Sequence, residues 1–199
     1  APANMQTFAN EIDIDADNGQ IITGLANLGP IALVFKERSI YDVNIATPSR
    51  TQLDYSGGSE SHRSVAKVEN DVYFLDDNGV FTLAQREGTT RSLRSTPVTN
   101  DLQPLVDVLR NLDVSAAVYW PETNQYYLAV DSTDLGTNNT LLVYNVRTAS
   151  WTRYTSVNAN DFTIYTDSGG DEHLLYASVY SGRVVELETG FNDNGVSIA

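Results

Sequence analysis

The sequence predicts an all-β protein built from antiparallel strands, with one short helix between residues 101 and 112. Two observations carry this prediction. Short apolar or alternating runs recur between residues such as Gly, Asn, Asp and Ser, which is typical of strands joined by turns. One strand–turn–strand layout then repeats along the chain, which is typical of an array of similar sheets. The nine runs are Ile31–Phe35, Asp71–Leu75, Gly79–Leu83, Ala116–Trp120, Tyr126–Val130, Leu141–Tyr144, Phe162–Tyr165, Leu174–Ala177 and Val184–Leu187.

Two tight turns are identified directly from the residues. The segments Asp76–Gly79 and Ser181–Gly182 each stand between two strand-like runs. Asn and Gly adopt a positive φ at little cost, and a short hairpin turn requires that conformation. We therefore expect a hairpin at both positions.

The helix is predicted as an insertion over residues 101–112. Asn100 or Asp101 is suited to cap it, and Pro104 falls in the first turn, where its missing N–H does little harm. The apolar residues recur at the spacing of one helix face, at Leu102, Leu105, Val106, Leu109 and Leu112.

An internal repeat organises the strands into a propeller-like fold. The turns at Ser39, Gly79, Ser150 and Gly182 lie 40, 71 and 32 residues apart. Most of these intervals are near the length of one four-stranded propeller blade, and the longest contains the predicted helix as an insertion. A hairpin cannot bury both of its faces alone, and stacking blades against one another solves this problem. The sequence therefore predicts about four blades. The four repeated units are Ile31–Val43, Val72–Leu83, Leu141–Tyr154 and Leu174–Leu187.

The third unit contains enough strands for a whole blade. Its stretch from Val143 to Arg153 resembles the last hairpin of a kelch-type blade, in which a Trp after the turn packs between blades. Trp151 takes that position. A generic β-meander with Trp151 in its core is the alternative. The four strands are predicted at 115–120, 125–131, 140–144 and 151–155.

Two other segments carry a more specific pattern. Gly29–Tyr41 reads Gly-Pro-Ile-Ala-Leu-Val-Phe-Lys-Glu-Arg-Ser-Ile-Tyr, and Ile22–Leu25 precedes it. Ser61–Val65 is followed by Asn70–Val80, with a Phe-Leu, short turn, Gly-Val pattern. These segments resemble successive blades of the β-propeller proteins in the tail and neck of tailed bacteriophages. The resemblance extends from about residue 17 to residue 83, and the helix at 101–112 departs from it.

The resemblance implies a structural protein of the virion, located in the tail, nozzle or neck. Such proteins assemble with other virion proteins and form rings of identical subunits. The quoted residues are blade cores in that family, so the resemblance implies no catalytic residue and no cofactor. An alternative function is a propeller that binds host carbohydrate, for which Trp120 beside Pro121 is the best stacking candidate. A glycosidase is a third hypothesis, although the spacing of the acids selects no carboxylate pair.

Composition excludes several classes. The 199 residues include 26 acidic and 12 basic side chains, a net charge of −14, so sequence-specific binding of nucleic acid through phosphate neutralisation is not expected. Passive contact with a translocating DNA remains compatible with such a surface. No apolar run approaches the ~20 residues of a membrane-spanning helix, and the absence of Cys excludes disulfides and thiolate sites.

Catalytic signatures are missing from the sequence, and we expect no enzyme. It contains neither a Gly-x-Ser-x-Gly elbow nor a His-Glu-x-x-His motif. The two histidines, His62 and His173, stand beside a strand and in an acidic turn. We interpret both as surface residues rather than general bases.

One segment is a candidate for calcium. Asp13, Asp15 and Asp17 place carboxylates at alternating positions before Gly19, and oxygen-rich loops of this kind hold Ca²⁺. The segment departs from the EF-hand because Asn18 precedes the Gly and position 24 is Gly rather than Glu. The alternative interpretation is a β-turn in which Asp and Asn bond to their own backbone.

Arginines outnumber lysines ten to two, which is typical of contacts at interfaces. Arg86, Arg91 and Arg94 cluster in a predicted loop between the second repeated unit and the helix, and we predict that this loop docks onto an acidic neighbouring subunit. An ordinary solvated loop is the alternative. The residues after Ala1 and Pro2 do not include the apolar region of a signal peptide. We expect residues 1–199 to be one propeller domain, or part of one within a longer chain.

Overall fold

The computed structural model describes residues 11–44, 46–53, 57–85, 93–99, 102–180, 182–189, 192–193 and 196–197. In this part of the chain, antiparallel sheets follow one another in sequence order, as predicted. Each sheet is a meander, because every strand pairs with the strand that follows it.

The first two sheets contain four strands each. Sheet 1 consists of β1 (Ile22–Leu28), β2 (Ile31–Lys36), β3 (Ile40–Asn44) and β4 (Ser49–Gln52). Sheet 2 consists of β5 (Ala66–Val68), β6 (Asp71–Asp76), β7 (Gly79–Gln85) and β8 (Leu93–Pro97).

The remaining strands form a third four-stranded sheet, a three-stranded sheet and a short hairpin. Sheet 3 consists of β9 (Ala116–Trp120), β10 (Gln125–Val130), β11 (Thr140–Asn145) and β12 (Ser150–Thr155). Sheet 4 consists of β13 (Ala159–Thr166), β14 (Glu172–Ser178) and β15 (Val184–Glu186). The hairpin pairs β16 (Asn192–Asp193) with β17 (Val196–Ser197).

All four hairpins predicted as repeated units are confirmed. They pair β2 with β3, β6 with β7, β11 with β12 and β14 with β15. At the turn of the second, Gly79 has a φ of 126°. A Cβ atom there would lie 2.2 Å from the Thr99 hydroxyl oxygen. The close approach of Thr99 therefore requires glycine at this turn, in addition to the backbone conformation that favours it.

The helix is much shorter than predicted. Helix α1 comprises only Gln103–Val106, and the proposed caps Asn100 and Asp101 lie outside the described residues. A longer helix would bond the Arg110 N–H to the Val106 carbonyl. Instead, Arg110 donates to the carbonyl of Asp131 at 3.1 Å and forms an isolated bridge there. The backbone of Arg110 therefore pairs with the end of β10 in sheet 3 instead of continuing the helix.

Three apolar layers hold the sheets together. Leu33 and Phe35 of sheet 1 meet Phe74 of sheet 2 in the first layer. The second joins sheets 2 and 3 through residues such as Tyr73 and Tyr126, whose ring centroids lie 5.3 Å apart. The third joins sheets 3 and 4. The first strands β1, β5, β9 and β13 also contact one another in that order, so the sheets form one continuous stack.

Trp151 packs between two sheets, as its position after the turn predicts. Its ring lies 4.8 Å from that of Tyr144, within the layer between sheets 2 and 3. Its indole N–H donates to the carbonyl of Val98, which follows β8, at 2.7 Å. The residue therefore joins the last strand of one sheet to the end of the preceding one.

None of the helices in the described residues is long and apolar enough to cross a membrane.

Candidate assembly face

Sheet 4 has one buried face and one open face. Side chains alternate along a strand, so Phe162, Ile164, Leu174 and Tyr176 pack on sheet 3. Their neighbours in sequence point away from the stack. We call the outward surface the open face; it comprises Asp161, Thr163, Tyr165, His173, Leu175, Ala177, Val184 and Glu186.

The open face is a mixed apolar and acidic surface. Strand pairing sets Tyr165 opposite His173, and it sets Leu175 opposite Glu186. Tyr165 is 53% exposed and Val184 is 70% exposed. Large apolar side chains that face water in this way on one sheet surface mark candidate contact sites.

His173 connects the charged groups of the open face. Its Nδ1 lies 2.5 Å from Glu186 Oε1, and its Nε2 lies 3.7 Å from Asp167 Oδ2. The bond with Glu186, and then the nearby Asp167, raise the pKa of His173 above its ordinary value. Backbone N–H groups of Asp171 and Gly169 donate to Asp167 at 3.0 and 2.7 Å and lower the pKa of that carboxyl. His173 is therefore a partly exposed residue that contacts two carboxylates and the ring of Tyr165.

The opposite end of the stack is covered by a segment that we call the strap, residues 11–20. Ile12 and Ile14 of the strap pack on Val34, Tyr41 and Val43. These three residues lie on the face of sheet 1 that points away from sheet 2, because their neighbours Leu33, Phe35 and Ile40 point toward it. The two ends of the stack therefore differ, since the strap covers β2 and β3 at one end, whereas the open face at the other end is exposed.

Polar bonds fasten the strap to sheet 1. Lys36 is only 2% exposed, and its ammonium donates to the Asp15 carbonyl at 2.8 Å and to Asn18 Oδ1 at 3.0 Å. Tyr41 donates its hydroxyl to Asp15 Oδ2 at 3.1 Å. Arg50 bonds the backbone carbonyl of Asp13 and pairs with its carboxylate at 3.2 Å. Buried charge is costly unless it is bonded in this way.

The calcium candidate lies in this strap. Asp13 and Asp15 both pair with Arg50, and the Ala16 N–H and Arg50 together lower the pKa of Asp13. Asp17 is exposed in the 3₁₀ turn Ala16–Asn18. Among the described residues, no three His, Asp or Glu side chains come close enough to hold a metal ion. Arginine and lysine therefore supply the positive charge beside these carboxylates.

The predicted arginine cluster is only partly placed. Arg86 and Arg91 lie outside the described residues. The loop assignment is wrong for Arg94, which lies on strand β8 opposite Ala84, because residues 93–97 pair with β7 as the fourth strand of sheet 2. The side chain of Arg94 is outside the described part. His62 is exposed in the 3₁₀ turn His62–Ser64 before β5, consistent with a surface residue.

Arg63 is a contact residue that sequence reasoning missed. Its guanidinium donates to the Asn160 carbonyl at 2.8 Å and to the Val114 carbonyl at 3.3 Å. It thereby joins the start of sheet 2 to the starts of sheets 4 and 3. Beside it, Ser61 donates to the Ser115 carbonyl at 2.6 Å. The sequence signal that could have identified Arg63 is its position in Ser61–Val65, one of the segments that resemble a propeller blade.

Comparisons with known proteins give distant structural matches. No protein-family model matches the chain, and no curated protein matches it. The extracellular domain of a B. thetaiotaomicron protein described as a one component system covers 90% of this chain at 12% identity, with a TM-score of 0.45; the match spans 29% of that protein. A mutant of Synechocystis apocarotenoid oxygenase covers 80% at 10% identity, with a TM-score of 0.46, and the match spans 45% of it. The chain thus spans less than half the length of each of these proteins.

Proposed function

We propose that this chain is a structural protein of the β-propeller type that acts by assembly through protein–protein contacts. The observation that carries the proposal is the stack itself. Successive meander sheets meet through their first strands, and the last of them keeps one partly apolar face open. A propeller also consists of four-stranded sheets that bury their faces on one another, which supports the proposal. A partly apolar face that stays exposed marks a candidate surface for contact with another protein.

The virion is the setting that we propose for this assembly. The proposal rests on the resemblance of Gly29–Tyr41 and Asn70–Val80 to tail and neck proteins of tailed bacteriophages. In the structure these segments contain β2 and β6 with the turns that follow them. Their apolar residues are buried on both faces of the sheets: Phe35 and Phe74 lie between sheets 1 and 2, whereas Val34 packs on the strap and Tyr73 lies between sheets 2 and 3. The segments that carry the resemblance therefore supply core packing. We accordingly propose the tail or neck as the location and other virion proteins as partners.

Net charge agrees with a component of a DNA channel. A chain with a charge of −14 repels the phosphate backbone, so a genome would pass such a surface without being held. This supports passive contact with DNA rather than binding.

The structure buries Trp120, the residue that the sequence analysis identified as the best candidate for stacking on carbohydrate. Trp120 is 7% exposed and lies in the layer between sheets 3 and 4. A sugar can stack only on an accessible ring face, and the ring of Trp120 is buried against sheet 4. No other contact among the described residues favours this function over assembly.

Labelling of particles tests the proposed function. Gold-conjugated antibody raised against the chain should mark the tail or neck of purified virions under the electron microscope, and peptides of the chain should be found in the same particles. A chain that is absent from purified particles would contradict the proposal. Binding on a glycan array, with no label on the particle, would favour the carbohydrate-binding alternative.

A further inference from the structure

We infer that the open face of sheet 4 docks a second copy of this chain, head to tail, against strand β1 at the opposite end of that copy's stack. The inference rests on the proposed function, assembly, and names the partner of the same face. Its evidence lies in the two ends of the stack.

The open face continues a series of established interfaces. Sheets 1 and 2, 2 and 3, and 3 and 4 each meet through an apolar layer. The open face presents Tyr165, Leu175 and Val184 where the next layer would begin, and two of these are more than half exposed. The surface therefore has the apolar content of an interface.

The other end of the stack leaves a matching apolar surface uncovered. The strap packs on Val34, Tyr41 and Val43, which belong to strands β2 and β3. On β1, Leu25 pairs with Val34 and Ile22 pairs with Lys36, so both side chains point to the same outward face. Leu25 is 63% exposed and Ile22 is 53% exposed. The strap therefore covers the two central strands of sheet 1 and leaves the apolar side chains of the first strand exposed.

The order of the first strands selects the occupant. Within one copy, β1 contacts β5, β5 contacts β9, and β9 contacts β13. A second copy placed with its β1 beside β13 repeats the same arrangement. It sets the exposed β1 residues against β13, and it sets β14 and β15 against the strap over β2 and β3 of that copy. Such an interface joins two different patches, so each copy retains one free end unless the assembly closes into a ring.

Sedimentation analysis of the purified chain tests the inference directly. Because every copy carries a charge of −14, the measurement is made at about 0.15 M salt and above, where repulsion between exposed charges is screened. We expect the unaltered chain to form species of two or more copies as its concentration rises. A chain that stays monomeric at every concentration would overturn the inference.

Two substitutions distinguish head-to-tail docking from any other contact. Val184→Asp alters the open face, and Leu25→Asp alters the β1 surface; because both side chains are largely exposed, the fold should survive, which circular dichroism verifies. Each variant alone should lose self-association. A mixture of the two should recover a heterodimer, because the intact open face of one variant meets the intact β1 surface of the other.

The control is Leu135→Asp, at a residue that is 68% exposed in the loop after β10 and belongs to neither surface. It should associate like the unaltered chain. Association that persists in both single variants, or a mixture that stays monomeric, would overturn head-to-tail docking. If self-association fails but the antibody labels virions, the head-to-tail docking is wrong and the proposed function is unaffected. If the chain self-associates as expected but the antibody does not label virions, the proposed function is wrong and the docking is unaffected.

Discussion

The guanidinium of Arg63 donates to the backbone carbonyl of Asn160 at 2.8 Å, and 97 residues of sequence separate the two. Asn160 lies at the register shift between Ala159 and Asp161, where β13 begins. The same guanidinium reaches the carbonyl of Val114 just before β9. A single side chain therefore fixes the starts of three sheets relative to one another, and this position should be among the most sensitive in the chain.

Replacing Arg63 with Ala should lower the free energy of unfolding by about 1.5–3 kcal/mol, because bonds from a charged donor contribute at that level. Urea denaturation followed by circular dichroism measures the change. Arg153→Ala is the matched control, since this arginine is exposed on β12 and should change stability by less than about 0.5 kcal/mol. Equal effects of the two substitutions would contradict the role of Arg63.

Replacing Lys36 with Met should release the strap from sheet 1. The substitution leaves the Asp15 carbonyl and Asn18 Oδ1 without the ammonium that bonds them, at a cost of about 1–3 kcal/mol. Hydrogen exchange at the amides of Ala16 and Asn18 should accelerate. Lys67→Met, at the other lysine of the chain, which is exposed on β5, should leave both amides unchanged; acceleration there too would indicate a general loss of stability instead.

Replacing Gly79 with Ala should destabilise the protein by at least about 1–3 kcal/mol, the cost of holding a non-glycine residue in a rarely occupied backbone conformation. The collision with Thr99 adds to it. Gly136→Ala serves as a comparison, because Gly136 also has a positive φ but a Cβ there meets nothing within 4 Å. Thermal unfolding should show the larger loss for Gly79, and a similar loss at both positions would exclude the collision.

NMR titration should find the pKa of His173 above the ordinary value of about 6.5, because Glu186 and Asp167 favour the protonated ring. Since the pKa is raised by folding, the protonated ring stabilises the protein fully below about pH 6.5, its value in the unfolded chain. That contribution to stability is lost as the pH rises through the pKa of His173 in the folded protein. Glu186→Gln should bring the pKa of His173 down, and an unchanged titration in this variant would show that the 2.5 Å contact does not form in solution.

The sequence by itself determined the fold class, the four repeated hairpins and their order along the chain. Strands β4 and β8, which contain no apolar run, were not predicted. Alternating apolar residues select a strand because one face must be buried, and Asn-Gly turns bring neighbouring strands together. Both effects act over a few residues, which is why the hairpin β6–β7 is predicted together with its turn at Asn78 and Gly79. The packing of Trp151 was predicted for the same reason, since its position follows from a local hairpin.

Contacts between distant residues were decided by the tertiary structure alone. The helix ends early because Arg110 bonds Asp131, and Trp120 is buried because sheet 4 packs on it. The carboxylates of Asp13 and Asp15 meet Arg50, which comes 37 residues after Asp13. The open face of sheet 4 has the same physical origin. Local alternation gives every strand two faces, and only the packing of whole sheets determines which face remains exposed to water.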